Sequence, residues 1–174
     1  KLRQVFDIHT RMIAHHSQNE RESANGLLNL LEQGQSVAVV SDAGYPLISD
    51  PGQNIVEQVT AAGYNVVPVS GCSASLNALV ASGLKAQPFL FKGFLSSNDR
   101  ECVKELEGLK ALPFTLIFYE APHRIERMLG HCLEVLGDRK ACLAREITKR
   151  HEEFLRGTLS EIKEAAAGLK GEMV

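Results

Sequence analysis

The sequence predicts an α/β protein of two lobes, and three observations carry that reading. Short branched apolar runs, VAVV at 37–40 and NVVPV at 65–69, alternate with segments whose apolar residues recur at helical spacing. Gly, Pro or Asp marks the junctions between them. After KAQP, Lys85 to Pro88, the pattern begins again. A chain of 174 residues holds either one well-cored domain or two small ones that lean on each other. The restart favours two: an N-terminal α/β domain over 1–87 and a C-terminal α/β domain over 88–174.

NERESANGLLNLLEQG reads as the first clear helix, with Asn19 as cap, Glu22 at the reciprocal capping position and Ala24, Leu27, Leu28 and Leu31 on one face. Gly34 supplies its stop. Val37 to Val40 fits a strand covered on both sides. Asp50-Pro51 restarts a helix, Asp as cap and Pro in the first turn, with Ile55, Val56, Val59 and Ala62 repeating up to Gly63. A second strand over Asn65 to Val69 precedes SGCSAS and a helix bearing Leu76, Leu79 and Val80, which ends at Gly83. The second lobe reads as a strand near Phe89 to Lys92, a helix through Val103, Leu106 and Leu109, and the strand of FTLIFYE. A long helix from Pro122 follows, burying Ile125, Met128, Leu129, Cys132, Leu133 and Leu136. A strand over Lys140 to Arg145 comes next, and HEEFLRGTLSEI reads as strand, tight turn at Gly157 and helix.

Several function classes fall away at this level. The formal net charge of -2 does not advertise a polyanion partner, although a local basic patch on a near-neutral body is compatible with one. Cys72, Cys102, Cys132 and Cys142 form no CxxC pair, which argues against a zinc site or a disulfide scaffold and for a reduced, cytoplasmic chain. No apolar run reaches the length of a membrane span. The dinucleotide fingerprint GxGxxG, the phosphate loop GxxxxGK[ST], HExxH and the EF-hand pattern are all missing from the sequence.

Two loops leave the carboxyl ends of expected strands, the edge of an open α/β sheet where ligands bind. In SDAGYPLISDPG, Ser41 to Gly52, Gly44 permits a positive φ or a close approach that a side chain would block. Asp42 either accepts hydrogen bonds from a ligand or, like Asp50, merely caps a turn. The second loop, Ser70 to Ser75, is small, hydroxyl-bearing and leads into a helix N-terminus that favours anions. YEAPHR, Tyr119 to Arg124, puts His123 and Arg124 at another strand end, as an anion site or as an ordinary helix start stabilised by Glu120. AREITKRHEE, Ala144 to Glu153, sets Arg145, Lys149, Arg150 and His151 against glutamates, either as a binding face or as a solvated mixed-charge surface. His15, His16 and Asn19 precede the first helix without metal-ligand spacing.

The ordered series VSDAGYPLISDPG, VPVSGCSAS, GFL, FYEAPHR, AREITKRHEE, GTL and KGEM resembles the small-subunit rRNA 2′-O-ribose methyltransferases of the tetrapyrrole methylase superfamily, from about Phe6 to Val174. The resemblance implies a two-domain tetrapyrrole methylase-like fold, not the Rossmann methyltransferase fold, with S-adenosyl-L-methionine in the cleft between the domains. It implies a homodimer acting on 16S rRNA in the small ribosomal subunit. The donor contacts it implies are Asp42, Ala43 and Gly44, then Gly71, Cys72, Ser73, Ala74 and Ser75, and later Ala144, Arg145 and Glu172. For the RNA side the candidates are His16, Asn19, Tyr45, His123, Arg124, Lys149 and Arg150, with Arg145 beside them. His16 and Glu120 are candidates for a general base, and alignment of the substrate alone is the alternative.

The family pattern also sets off departures. Tyr45 stands where a threonine is usual, Ser70-Gly71-Cys72-Ser73-Ala74 replaces PGPSA, and Ser96 follows GFL where proline is common. A leading strand with a PTPIGN-like loop is expected ahead of Lys1, and the final strand of the second domain is expected to continue past Val174. Two other readings stand beside the RNA one: a methylase for a tetrapyrrole or other small acceptor, and a non-catalytic nucleotide- or RNA-binding module.

Overall fold

In the computed structural model, which describes residues 2–15, 20–41 and 44–174, the chain divides into two compact units, Lys1–Gly71 and Cys72–Val174. The first holds a short α1 (Leu2–Val5), α2 (Glu20–Glu32) and α3 (Gln53–Ala61). Ala24 and Leu27 of α2 pack with Ile55 and Val59 of α3, flanked by the half-buried Leu28, Leu31 and Tyr64. Gly34, at φ 76, ends α2, and its amide and that of Gln35 close back on the carbonyls of Leu31 and Leu30.

Three expectations for this unit need correction. Neither 37–40 nor 65–69 is a strand. Val40 is 74% exposed and Val69 84%, and no ladder pairs either run among the described residues. A helix closes its own backbone bonds, whereas a strand needs a neighbour for them, so apolar branching alone does not make one. The helix after Asp50-Pro51 starts only at Gln53, with Gly52 at its cap position at φ 137 and no side-chain cap, and Ala62 lies exposed beyond its end.

The second unit begins with α4 (Ala74–Ala81) and runs through β1 (Phe89–Phe94), α5 (Asp99–Leu109), β2 (Thr115–Tyr119), α6 (Ile125–Leu136), β3 (Lys140–Arg145), β4 (Glu153–Thr158) and α7 (Leu159–Ala165). β1 and β2 pair in parallel through the α5 crossover, with a bulge at Lys92 beside Gly93, which adopts φ 74. β3 and β4 pair antiparallel. Leu106, Ile125, Leu129, Leu143, Ile162 and Met173 anchor one buried cluster under both ladders. The compactness division precedes the 87/88 boundary read from the sequence. KAQP is tied to β2, since Thr115 donates from its hydroxyl to the Lys85 carbonyl and from its amide to that of Pro88.

The sequence reading of this unit needs three smaller corrections. The residues 122–124 form a turn, so α6 starts three residues after Pro122 begins it, and Val135 joins its buried face. Gly157 is a strand residue paired with Ala141, and the chain passes straight into α7 through a reciprocal cap of Thr158 and Glu161. A Cβ on Gly157 would meet the Glu161 carboxylate at 2.5 Å, so glycine makes room for the cap there. Leu76 and Val80 of α4 are exposed, while Ser75, Ala78 and Leu79 form its buried face.

The last residues extend the second unit's backbone pairing. Met173 bridges both Glu120 and Arg145, and Val174 exchanges two 2.9 Å bonds with Ala144. A cavity of about 370 Å³ in the second unit is lined from β2, β3, α4 and α6, with Ile117, Leu143, Leu79, Met128 and Met173 among its walls. No helix among the described residues is long and apolar enough to cross a membrane.

Candidate functional site

Four segments gather the chemistry, and the first lies in the first unit. Gly44 adopts φ 71, the conformation its loop position suggested, and its carbonyl accepts from the Ser41 hydroxyl at 3.0 Å. Leu47 also takes a left-handed φ of 72, unusual for a branched side chain, and its side chain would lie 3.3 Å from a Cβ at Gly52. The half-buried Tyr45 carries its hydroxyl to the Gly71 amide, which donates at 2.8 Å. The phenol therefore cross-links the two loops singled out in the sequence, a role that threonine is too short to fill. Asp42, Ala43, His16 and Asn19 lie outside the described residues. His15, which the sequence left unassigned, bonds through Nδ1 to the buried Ser23 hydroxyl at 2.5 Å.

The small-residue loop leads into α4 in the second unit. Ser73 caps the helix toward the Leu76 amide and shares a 3.0 Å bond with the Ser75 hydroxyl. The Ser75 amide donates to the Tyr119 hydroxyl at 3.2 Å, and the Tyr119 ring sits edge-on to Phe91 and Phe94. Tyr119 thus fixes the start of α4 against the end of β2, a link that its place in YEAPHR did not reveal. Cys72 and Ala74 are exposed. Burial pushes up the Cys102 and Cys142 thiols and takes Cys132 to about 12, so these three are packing residues and not nucleophiles.

YEAPHR divides into an inward and an outward part. Glu120 is 4% exposed; its Oε1 accepts from the Ala121 amide at 2.8 Å and its Oε2 lies 3.2 Å from the Arg124 guanidinium. That ion pair lacks hydrogen-bond alignment, and Glu120 Oε2 and Arg124 Nε have no other partner among the described residues. The same guanidinium donates to the carbonyls of Leu95 and Ser96 at 3.0 and 3.2 Å. Arg124 therefore clamps the GFL turn to β2, and Glu120 is its counter-charge. His123 is exposed.

The ARE segment and the terminal residues form one network. The Ala144 amide and carbonyl are both engaged by Val174. Arg145 binds Glu153 through Nε and a terminal nitrogen at 3.0 and 2.9 Å, and donates to the Lys170 carbonyl at 3.1 Å. Glu146, at φ 51, accepts from the Glu172 amide at 2.9 Å and from Lys149 at 3.0 Å. Lys149 reaches on to the Glu172 carboxylate at 2.9 Å. The Glu172 amide first, and Lys149 second, hold the Glu146 carboxyl below its usual range; the two carboxylates push Lys149 upward. Arg150 is exposed. Among the described residues no group of three or more His, Cys, Asp or Glu is placed to hold a metal ion.

The family described as "Tetrapyrrole (Corrin/Porphyrin) Methylases" matches residues 2–163. "Ribosomal RNA small subunit methyltransferase I" of Bacillus subtilis is 48% identical over 93% of this chain and 56% of its own length. The proteins of the same name from Halalkalibacterium halodurans and Mesorhizobium japonicum are 43% and 46% identical over 99% and 97% of this chain. The chain spans 60% and 59% of those two relatives' lengths. Among solved structures, that of the methyltransferase CobJ superposes with a TM-score of 0.64 at 22% identity, covering 88% of this chain and 70% of that one. It shares the fold.

Proposed function

Because the chain belongs to the tetrapyrrole (corrin/porphyrin) methylases, we propose that it forms part of an S-adenosyl-L-methionine-dependent methyltransferase acting on a ribose 2′-hydroxyl of 16S rRNA in the small ribosomal subunit. The observation that carries this reading is identity of 43–48% along nearly the whole chain to relatives whose name states small-subunit rRNA methylation. A cytoplasmic homodimer with two α/β domains, divided near 87/88, belongs to the same proposal.

The residues present suit the donor. Gly44 at positive φ leaves its backbone open to close approach, and the hydroxyl-bearing start of α4 offers Ser73 beside the exposed Cys72. Asp42, Ala43, Gly71, Ala74, Ser75, Ala144, Arg145 and Glu172 complete the proposed donor set. When bound, the sulfonium supplies an activated methyl group. The chain's task is to align the ribose oxygen, exclude water and let the hydroxyl proton leave. Glu120 is poorly placed to reach a ribose hydroxyl, because its carboxylate is buried against Arg124. Alignment therefore carries most of the protein's contribution, with His16 as the remaining proton acceptor. On the RNA side, the exposed His123 and Arg150 are free to meet phosphate, whereas Arg124 and Arg145 are engaged within the protein.

Methyl transfer from labelled donor by the full-length protein tests this reading. Label is expected in 16S rRNA of small subunits, at a nucleotide that then resists alkaline cleavage. Label in a tetrapyrrole acceptor with none in the subunit would overturn it in favour of a small-acceptor methylase. Donor binding absent by calorimetry would favour a non-catalytic module.

A further inference from the structure

The segment after β3 is built as two consecutive turns that share Lys149. The Lys149 amide donates to the Glu146 carbonyl at 2.9 Å, and the Glu152 amide donates to the Lys149 carbonyl at 3.1 Å. Arg150 and His151 are therefore the two corner residues of the second turn, both exposed, and neither has a side-chain partner among the described residues. Lys149, although charged and 44% exposed, is in a different situation. Its ammonium lies between Glu146 and Glu172, at 3.0 and 2.9 Å. Two carboxylates already neutralise it.

The surroundings show that this contact holds a strained backbone. Glu146 and Thr148 take φ of 51 and 68, left-handed values that non-glycine residues keep only when their neighbours enforce them. Enforcement is visible at three points. The Glu146 amide donates to the Glu172 carbonyl and the Glu172 amide to the Glu146 carboxylate, both at 2.9 Å. The Thr148 amide donates to the Glu152 carboxylate at 2.6 Å. Gly171, at φ 103, leaves room for the Glu146 side chain, which a Cβ there would meet at 2.5–2.6 Å. Lys149 closes this circle by joining the two acidic side chains.

We propose that Lys149 is a positioning residue and not a phosphate contact: with Glu146 and Glu172 it latches the double turn to the chain's last residues, so that the corner residues Arg150 and His151 meet the RNA backbone. The assignment of RNA as the partner rests on the function proposed above; the latch itself does not. Releasing Lys149 to a phosphate would leave Glu146 and Glu172 facing the same anion, and like charge at that point opposes binding.

The test separates the two parts. Binding of the full-length protein to small ribosomal subunits is measured against salt at fixed magnesium, because each phosphate neutralised adds about 0.7–0.9 to the log–log slope. Arg150→Ala is expected to lower affinity and flatten the slope by about 0.7. Lys149→Ala is expected to lower affinity with the slope unchanged, because an unlatched turn must be ordered on binding before Arg150 makes the same phosphate contact. Lys149→Arg, which keeps both ion pairs, should restore the affinity. In the protein without RNA, Lys149→Ala should speed hydrogen exchange of the Glu172 amide several-fold, and Arg150→Ala should not. A slope loss in Lys149→Ala equal to that in Arg150→Ala overturns the positioning role. An unchanged slope in Arg150→Ala overturns the corner's. Unaltered Glu172 exchange in Lys149→Ala overturns the latch whatever the RNA result. Wild-type protein that binds subunits without salt dependence overturns the RNA reading and leaves the latch to the exchange measurement.

Discussion

The two units treat the same kind of sequence in opposite ways. In the second, TLIFY and KACLAR become β2 and β3, and Ile117 and Leu143 are 6% and 4% exposed. In the first, VAVV and NVVPV are just as apolar and branched, yet Val40 is 74% and Val67 78% exposed. The difference is not propensity. β2 has β1 alongside it and β3 has β4, while no described segment of the first unit offers a ladder to 37–40 or 65–69. A strand is a property of a pair, and the first unit shows apolar runs without their partners.

The greatest loss is expected at the second unit's buried charges. Arg124→Ala would leave Glu120 buried without its counter-charge and release the carbonyls of Leu95 and Ser96. We expect a loss of about 3–5 kcal/mol in denaturant titrations. The paired change Glu120→Gln with Arg124→Met should recover much of it, since both ionic groups then go together. A small loss for Arg124→Ala alone would mean that water already reaches Glu120.

Core truncation gives the next largest contrast. Leu106 is 0% exposed within the second unit's cluster, and Leu106→Ala should cost about 2–5 kcal/mol. Leu27 is 7% exposed in a far smaller cluster with Ala24, Ile55 and Val59, so its neighbours can collapse into the space. Leu27→Ala should cost about 1–2 kcal/mol. Equal costs would show that the first unit's core is as demanding as the second's, and that its exposed valines say little about its packing.

What was legible in the sequence follows the same line. Helices declared themselves through internal period and stops: Gly34, Gly63 and Gly83 all take positive φ behind the helices they end. The pattern over Lys140 to Arg145 matches β3 residue for residue, because local pattern and neighbours agree there. The missed features depend on distant partners. Nothing near Tyr45 indicates that its hydroxyl meets Gly71, and nothing in YEAPHR distinguishes an inward Arg124 from an outward His123. In the sequence Gly157 reads as a turn because glycine usually marks one, whereas in the fold it gives space to Glu161. The loops most relevant to the proposed donor were visible as composition, but the bonds that shape them were not.

A smaller effect concerns how α4 is held at its C-terminal end. Arg156 of β4 donates from Nε and a terminal nitrogen to the Ala81 carbonyl at 3.1 and 2.6 Å, with its guanidinium 5.2 Å from the centre of the Phe154 ring. A cation on the last carbonyls also complements the helix dipole. Arg156→Ala should cost about 1–2 kcal/mol and raise amide exchange over Ala78 to Ser82. Arg156→Lys should rescue this only in part, because an ammonium cannot reproduce the two-nitrogen geometry or the ring stacking. Unchanged exchange would mean that Ala78 and Leu79 hold the helix by burial alone.

The smallest effect is the most specific, because it titrates without disturbing the core. Glu146 is held below the ordinary glutamate range first by the Glu172 amide and then by Lys149, while Lys149 is pushed above the ordinary lysine range by Glu172 and Glu146. A depressed carboxylate contributes stability that is present above its unfolded value and lost as pH falls through its folded one. A raised ammonium contributes below its unfolded value and loses that contribution as pH rises through its folded one. Both hold across the neutral range, so the latch should stay closed there and open at each extreme. Carbon NMR of the Glu146 carboxyl should follow the acid limb. In Lys149→Ala its midpoint is expected to rise, but not to the ordinary value, because the Glu172 amide still donates to it. A full return would show that the lysine does the work here assigned mainly to the amide. No movement would show that Lys149 contributes nothing to the carboxylate, and the latch would then be a backbone device alone.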